Sequence, residues 1–491
     1  MDARSTASEP GQLSHAEIRS ILIGVMLAMF LSALEQTIVA SALPTIGLAF
    51  GDMENVPWIV TSYLLTGTAV TPLVGKLADI HGPRPILLGS IGLFVGGSIL
   101  CALAPSMLWL VLGRAAQGFG GGGLIALAQT IIGLIVAPKE RGRYQAFFAV
   151  VFITSSVAGP VLGGFFAEHL HWSLIFWINV PLGLAAAYMS DSVLHRLPAH
   201  HHPHRLDLIG ALLLCAAAMA LMLALSWGGQ VYAWNSRQVL GLLAGSVLLW
   251  CLLGLRLATA REPLIPLSIL FNRVVGPGVL AAAMAIGTMI GLSVELPFYF
   301  EGVLGFTASQ SGSALIPLLA GVVVGATGTG RMMGRVQHYK RVPVAGVASS
   351  VAALAILALF PRDVSFAGLA MLMAVTGIGL GTVLPVVTVS VQNAVPLPQI
   401  GTATGVQNFF RSLGGVVLAA VFGAIVLGAS GLTGHQLLEG FRQGTVDAGA
   451  LTDAFRFVFA AAALALATGL VGLIFMEERP LRSHSGPAPI E

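Results

Sequence analysis

Charge is scarce in this chain: Asp, Glu, Lys and Arg make up only 9% of its 491 residues, against about 25% in an ordinary soluble domain. The net charge of +3 offers nothing directed at a nucleic-acid backbone. Cysteine is nearly missing too. Cys101, Cys215 and Cys251 fall in separate apolar stretches with no pairing pattern, so a disulfide framework is excluded and packing is the expected role. There is no metal-spaced cluster, no phosphate-cradling glycine loop and no nucleophile beside a base. The expectation is therefore a protein that is not an enzyme, holds no metal and needs no cofactor.

What the chain has instead is apolar length. Apolar residues make up 56% and glycines number 60, a composition that suits helices solvated by lipid and packed closely through small residues. Fourteen stretches are long enough to cross a bilayer at about 20 residues each: 20–44, 57–78, 85–104, 106–136, 144–167, 172–194, 207–226, 238–257, 275–300, 310–334, 342–360, 365–388, 401–427 and 454–475. No room remains for a soluble domain of useful size. Arg19 before the first stretch and Ala40-Ser41-Ala42 within it resemble a signal peptide. Removing that helix would upset the charge sorting of every later loop, so it is expected to stay.

Basic residues fall on alternate connectors. With the N-terminus inside, most of the 24 Lys and Arg lie on the cytoplasmic side, including Lys76, Arg84, Lys139, Arg141, Arg143, Arg256, Arg331, Arg335, Lys340, Arg341, Arg479 and Arg482. Both termini are then cytoplasmic. Arg237, Arg362, Arg442 and Arg456 fall outside, while Arg114 and Arg411 lie within apolar segments.

An ionisable group at membrane depth costs at least a few kcal/mol, so each one is a functional candidate. Glu35 lies about 24 Å along its helix from Arg19, and Arg114 about 12 Å from the far end of the fourth segment. The two sit at comparable depth and are placed to face each other. A carboxylate whose solvation and partner change as a cavity opens to either side changes its affinity for protons. Three readings stand: proton coupling, a static pair joining two helices, or substrate contact. Glu295 is a second proton or cation site or an interfacial carboxylate. Arg411, with Gln407 and Asn408 one turn before it, either closes the second half or touches substrate.

The motifs around these residues resemble the major facilitator superfamily, and within it the fourteen-helix drug:proton antiporters. Leu34-Glu35-Gln36-Thr37-Ile38-Val39-Ala40-Ser41-Ala42-Leu43-Pro44 is similar to the family signature, with Glu35 where Asp is common. Gly75-Lys76-Leu77-Ala78-Asp79-Ile80-His81-Gly82-Pro83-Arg84 resembles its cytoplasmic loop motif, departing at Ile80 and Pro83. Arg114-Ala115-Ala116-Gln117-Gly118 and Gly159-Pro160-Val161-Leu162-Gly163-Gly164 resemble the fourth-helix and antiporter motifs, the latter lacking upstream glycines at Ala146 and Ser155. Further matches are Phe176-Trp177-Ile178-Asn179-Val180-Pro181, Glu262-Pro263-Leu264-Ile265-Pro266, Leu296-Pro297-Phe298-Tyr299-Phe300 and Phe409-Phe410-Arg411-Ser412-Leu413-Gly414-Gly415.

The resemblance implies an all-α integral membrane protein with the major facilitator fold. Its parts would be a cytoplasmic tail (1–19), a six-helix half (20–194), a His-rich linker (195–206), an inserted helix pair (207–257), a connector (258–274), a second six-helix half (275–476) and a tail (477–491). Gly330-Arg331-Met332-Met333-Gly334-Arg335 echoes Gly75–Arg84 eight helices later, as an internal repeat does. The linker histidines around His200–His204 read as a flexible tether rather than a metal trap.

By the same resemblance Gly75, Asp79, Gly82 and Arg84 form a cytoplasmic gate, and Gly159, Pro160, Gly163 and Gly164 a kinked, close-packed seam. Either stretch also reads plainly, as a basic loop and as ordinary packing. Gln36, Gln117, Asn179, Gln407, Asn408 and Arg411 are candidates for the substrate cavity. The implied activity is proton-driven export of lipophilic or amphipathic compounds across the cytoplasmic (inner) membrane. The last five helices contain no acids away from their ends, which favours neutral, zwitterionic or monocationic substrates. The implied partners are such substrates, protons, membrane lipids and, in double-membraned bacteria, a periplasmic adaptor. An exporter of an endogenous lipid or metabolite, and a non-transporting membrane sensor, are the rivals.

Overall fold

A computed structural model of the chain describes residues 15–195, 206–229, 231–361, 364–430 and 448–482. The linker histidines at 200–204, Arg362, Arg442 and both tails beyond these limits lie outside the described residues. Among the described residues are fourteen helices long and apolar enough to span a membrane. They are α1 (Ser20–Phe50), α2 (Val56–His81), α3 (Pro83–Ala102), α4 (Met107–Ile135), α5 (Pro138–His169), α6 (Leu174–Ser192) and α7 (Leu208–Trp227). They continue as α8 (Arg237–Thr259), α9 (Val275–Gly302), α10 (Ser309–Met333), α11 (Arg341–Leu359), α12 (Phe366–Ala394), α13 (Leu397–Ala429) and α14 (Ala448–Phe475).

Local sequence sets the helix ends. Proline at the first turn starts α2, α3 and α5, where a missing N–H costs nothing. Asp207, Ser236 and Ser365 cap α7, α8 and α12 through their side-chain oxygens, and a Thr307–Gln310 capping box precedes α10. Several helices overrun their apolar stretches. The charged run Lys139–Arg143, expected as a connector, is the first turns of α5, because a helix satisfies its own backbone beyond the hydrocarbon as well as within it. There Arg141 is buried and donates to the Val136 carbonyl at 2.8 Å and to that of Gly133, closing the end of α4. The fourth segment, expected unbroken, is interrupted at Gly122–Gly123, where a Cβ on Gly122 would collide with Gly67 of α2.

Packing gathers the helices into groups. Phe94, Ile131 and Phe148 centre one cluster within α1–α6, and Leu110, Trp172 and Phe176 another. Phe300, Phe422, Phe455 and Phe459 centre a cluster within α9–α14. The pair α7 and α8 joins both groups through Leu214 and Leu253, packed with Leu65 of α2 and Phe409 of α13.

Two long seams run between the groups, α2 against α13 and α5 against α10. Gly75 meets Gly401 and Gly405 in the first, while Gly142 meets Gly330 in the second. The sequence echo of Gly75–Arg84 in Gly330–Arg335 thus has a spatial counterpart. Hydrogen bonds between the groups lie toward the end of the bundle that carries the basic connectors, here called the basic end. Among the described residues they are Asp79 with Gly401 and Thr402, Gln129 with Gln392 and Asn408, and Lys139 with Arg482.

Candidate functional site

Glu35 and Arg114 meet as their depths predict. Arg114 Nη1 donates to Glu35 Oε1 at 2.5 Å, and both side chains are within 1% of full burial. Charges removed from water persist only when every lone pair and proton is satisfied, and the neighbours supply that. Asn179 Nδ2 donates to Glu35 Oε2 at 2.6 Å; Arg114 donates to Gln117 Oε1 at 2.6 Å and from Nε to the Ile59 carbonyl at 2.9 Å. Ser98 joins the two amides, accepting from Gln117 Nε2 at 2.8 Å and Asn179 Nδ2 at 3.3 Å. The guanidinium also lies 4.3 Å from the Tyr63 ring centroid, a cation–π contact.

Three of the expected cavity residues are enclosed in polar contacts in this structure. Gln117 and Asn179, expected to face substrate, are fully buried on the ion pair, Gln117 held against Gly97 and Ser98 of α3 and Asn179 against Glu35 of α1. Gln407 also turns inward, donating to Thr388 Oγ1 at 2.8 Å inside the second group.

Gln36, Asn408 and Arg411 do come together. They line a cavity of about 70 Å³ between the groups, with Ser32, Tyr63, Thr68, Thr71, Gly121 and Ser412. Asn408 in its lining donates from Nδ2 to Gln129 Oε1 of α4, in the other group, at 2.7 Å. The space suits water, not the roughly 300–1,000 Å³ of a drug-sized site, so a larger ligand requires the groups to separate. Tyr63 borders the cavity on one side and the Arg114 guanidinium on the other, which makes it the contact between space and charge.

Ser98, Tyr63 and Gln129 carried no sequence signal beyond being polar residues at membrane depth. Glu295 is buried in α9 beside Gly423 of α13, separate from Glu35 and Arg114.

At the basic end Asp79 accepts from the Gly401 amide at 2.8 Å and from the Thr402 amide and hydroxyl, each at 2.6 Å. Its partner is thus the start of a helix in the other group. Gly75 lies one turn earlier, where a Cβ would strike the Gly401 carbonyl. Gly82 has φ of +86°, a left-handed turn that glycine accepts at no cost. Arg84 is not part of that contact: it pairs with Asp191 of α6 at 2.7 Å, within its own group. Residues after α14 lie across the same end, with Asn393 Nδ2 donating to the Pro480 carbonyl at 3.1 Å and Tyr339 donating to that of Arg479 at 2.7 Å. Burial pushes the Tyr339 phenol above its usual range.

The expected glycine seam divides. Gly159 packs on Thr37, and Gly163 on the Ile38 carbonyl and Ser41, so α5 is pressed against α1 directly beyond Glu35. Thr37 seals the contact by donating to the Ser155 carbonyl at 2.9 Å. A Cβ on Gly164 would enter open space and Pro160 is exposed, so neither position is where the helices approach closely.

Comparison with known proteins agrees with this architecture. The Major Facilitator Superfamily model matches residues 25–420. An uncharacterized MFS-type transporter of Mycobacterium tuberculosis is 34% identical over 84% of the chain, which spans 60% of that relative's length. Multidrug transporter protein MdtP of Bacillus subtilis is 32% identical over 84% of this chain and 76% of its own. Multidrug resistance protein 3 of the same organism is 30% identical, covering 84% and 80%. Among solved structures, a bacterial homologue of the iron transporter ferroportin in an outward-facing state superposes with a TM-score of 0.64 at 11% identity, covering 94% of this chain and 99% of that one. The human organic anion transporter MFSD10 gives 0.62 at 16%, covering 91% and 99%; at such identities the likeness is one of fold. The chain belongs to the Major Facilitator Superfamily.

Proposed function

We propose that this protein exports lipophilic or amphipathic small molecules in exchange for protons, by alternating access of the central cavity. The observation that carries the reading is the enclosed Glu35–Arg114 pair, one residue from Gln36 and one aromatic ring from the cavity. A substrate entering that space presses on Tyr63 and so on the guanidinium. Weakening the ion pair changes the affinity of Glu35 for a proton. Relatives named for multidrug transport support the substrate class.

In this reading the basic end faces the cytoplasm, as the bias of Lys and Arg demands, and the protein sits in the cytoplasmic membrane with both termini inside. The contacts of Asp79, Gln129 and Gly75 then belong to a state closed toward the cytoplasm. Opening there, and closing at the far end, completes the cycle. The proton gradient is the energy source, and Glu295 is a second candidate carrier. The division of the chain into two halves and an inserted pair supplies the rocking bodies. A periplasmic adaptor belongs to the reading where a second membrane exists.

The test is flux. Everted vesicles containing the protein should accumulate a fluorescent amphiphile when a pH gradient, acid inside, is imposed, and should stop when the gradient is collapsed. Accumulation indifferent to the gradient would overturn the proton-coupled reading.

A further inference from the structure

We propose that Arg411 makes the central cavity selective for amphiphiles carrying an anionic headgroup, a carboxylate, sulfonate or phosphate. The inference rests on the exporter reading above and names its substrate class.

Arg411 lines the cavity from α13 and is only partly buried. Its guanidinium forms no hydrogen bond or ion pair with another described residue. Arg114, the other arginine at membrane depth, is by contrast saturated by Glu35, Gln117, the Ile59 carbonyl and the Tyr63 face. No acidic side chain lines the cavity, and Glu35 is withdrawn behind Tyr63 with its own cation. The net charge offered to a ligand is therefore positive.

A cation at membrane depth is costly unless paired. In a cavity without a carboxylate, the group that can pair it is the ligand's. A guanidinium presents its N–H groups in a planar fork that matches a carboxylate or phosphate two bonds at a time. Around it stand hydroxyls and amides suited to a polar head: Ser412 on the next residue, Thr68 and Gln36 across the gap, and Asn408 one turn back, whose buried Oδ1 has no partner. Leu64, Ile125 and the Tyr63 ring provide an apolar side for the tail. A monocationic drug meets repulsion here, which narrows the range of substrates that a count of acids in the last five helices allowed.

The experiment uses the full chain in detergent and in proteoliposomes with three matched probes: pyrenebutyrate, 1-pyrenebutanol and a pyrenylbutyl trimethylammonium salt. Binding is followed by quenching of the native tryptophans. The native chain should bind pyrenebutyrate most tightly and the ammonium salt least. Arg411→Gln should weaken pyrenebutyrate by at least about tenfold, the scale of one charge-assisted pair, while pyrenebutanol binding stays unchanged and reports an intact fold. Arg411→Lys should restore most of the anion preference, because it restores charge without the fork. Equal losses for all three probes, or a native preference for the ammonium salt, would overturn the inference while leaving an exporter in place. Failure of every probe to bind or move would overturn the exporter reading and this inference with it.

Discussion

Asp79 and Thr402 belong to different helix groups, yet the Asp79 carboxylate takes both the amide and the hydroxyl hydrogen of Thr402 at 2.6 Å. A carboxylate on the first turn of a helix meets unpaired N–H groups and the positive end of the helix dipole. The contact ties the two groups together at the basic end.

Asp79→Asn should loosen that end. A partly buried carboxylate at a helix N-terminus contributes up to about 2 kcal/mol, so labelling of Thr404→Cys by an impermeant maleimide from the basic side should rise roughly tenfold. Thr404 is fully buried in the closed seam, hydrogen-bonded to Gln392. Arg84→Gln should change labelling by less than about threefold, since its pair with Asp191 is 42% and 46% exposed and such pairs contribute little. Unchanged labelling in Asp79→Asn would show that the latch lies elsewhere.

The central ion pair should be strongly coupled. Arg114→Ala leaves Glu35 buried without its cation and should cost about 3–5 kcal/mol of stability near neutral pH. In a Glu35→Gln background the same change should cost much less, because no charge is stranded. Thermal melting of the four proteins in detergent closes this cycle. Additive losses would mean that the two side chains do not share an interaction.

The seam between α1 and α5 gives a positional contrast. Gly163→Leu drives a side chain into the Ile38 carbonyl and Ser41, an overpacking worth about 1–3 kcal/mol or more, and should lower the melting temperature and slow transport. Gly164→Leu, one residue on, enters open space and should leave both unchanged. Equal damage from the two would contradict the packing described.

Much of this architecture was legible in the residues. Apolar length alone separates the fourteen helices, and rise per residue placed Glu35 and Arg114 at one depth. Depth says nothing about the direction in which a residue points, so the sequence alone does not show that Gln117, Asn179 and Gln407 are buried on other polar groups in this structure. The break in α4 had a sign, the run Gly120–Gly123, but its cause is the close approach of Gly67 from α2. Asp79 near the end of α2 and Arg84 at the start of α3 lie five residues apart and yet serve different partners, because the turn at Gly82 sends their side chains to different helices. Tyr63 and Ser98 gain their roles only from tertiary packing.

Coupling through Glu35 is read from substrate-triggered proton release in everted vesicles, comparing the native chain with Glu35→Gln by a pH-sensitive dye after adding an amphiphile. Antiport through Glu35 predicts release from the acidic lumen in the native chain, and none in Glu35→Gln, whose residual flux should also lose its dependence on pH. Full proton release in Glu35→Gln would contradict antiport through Glu35 and move the coupling carboxylate away from the Arg114 pair.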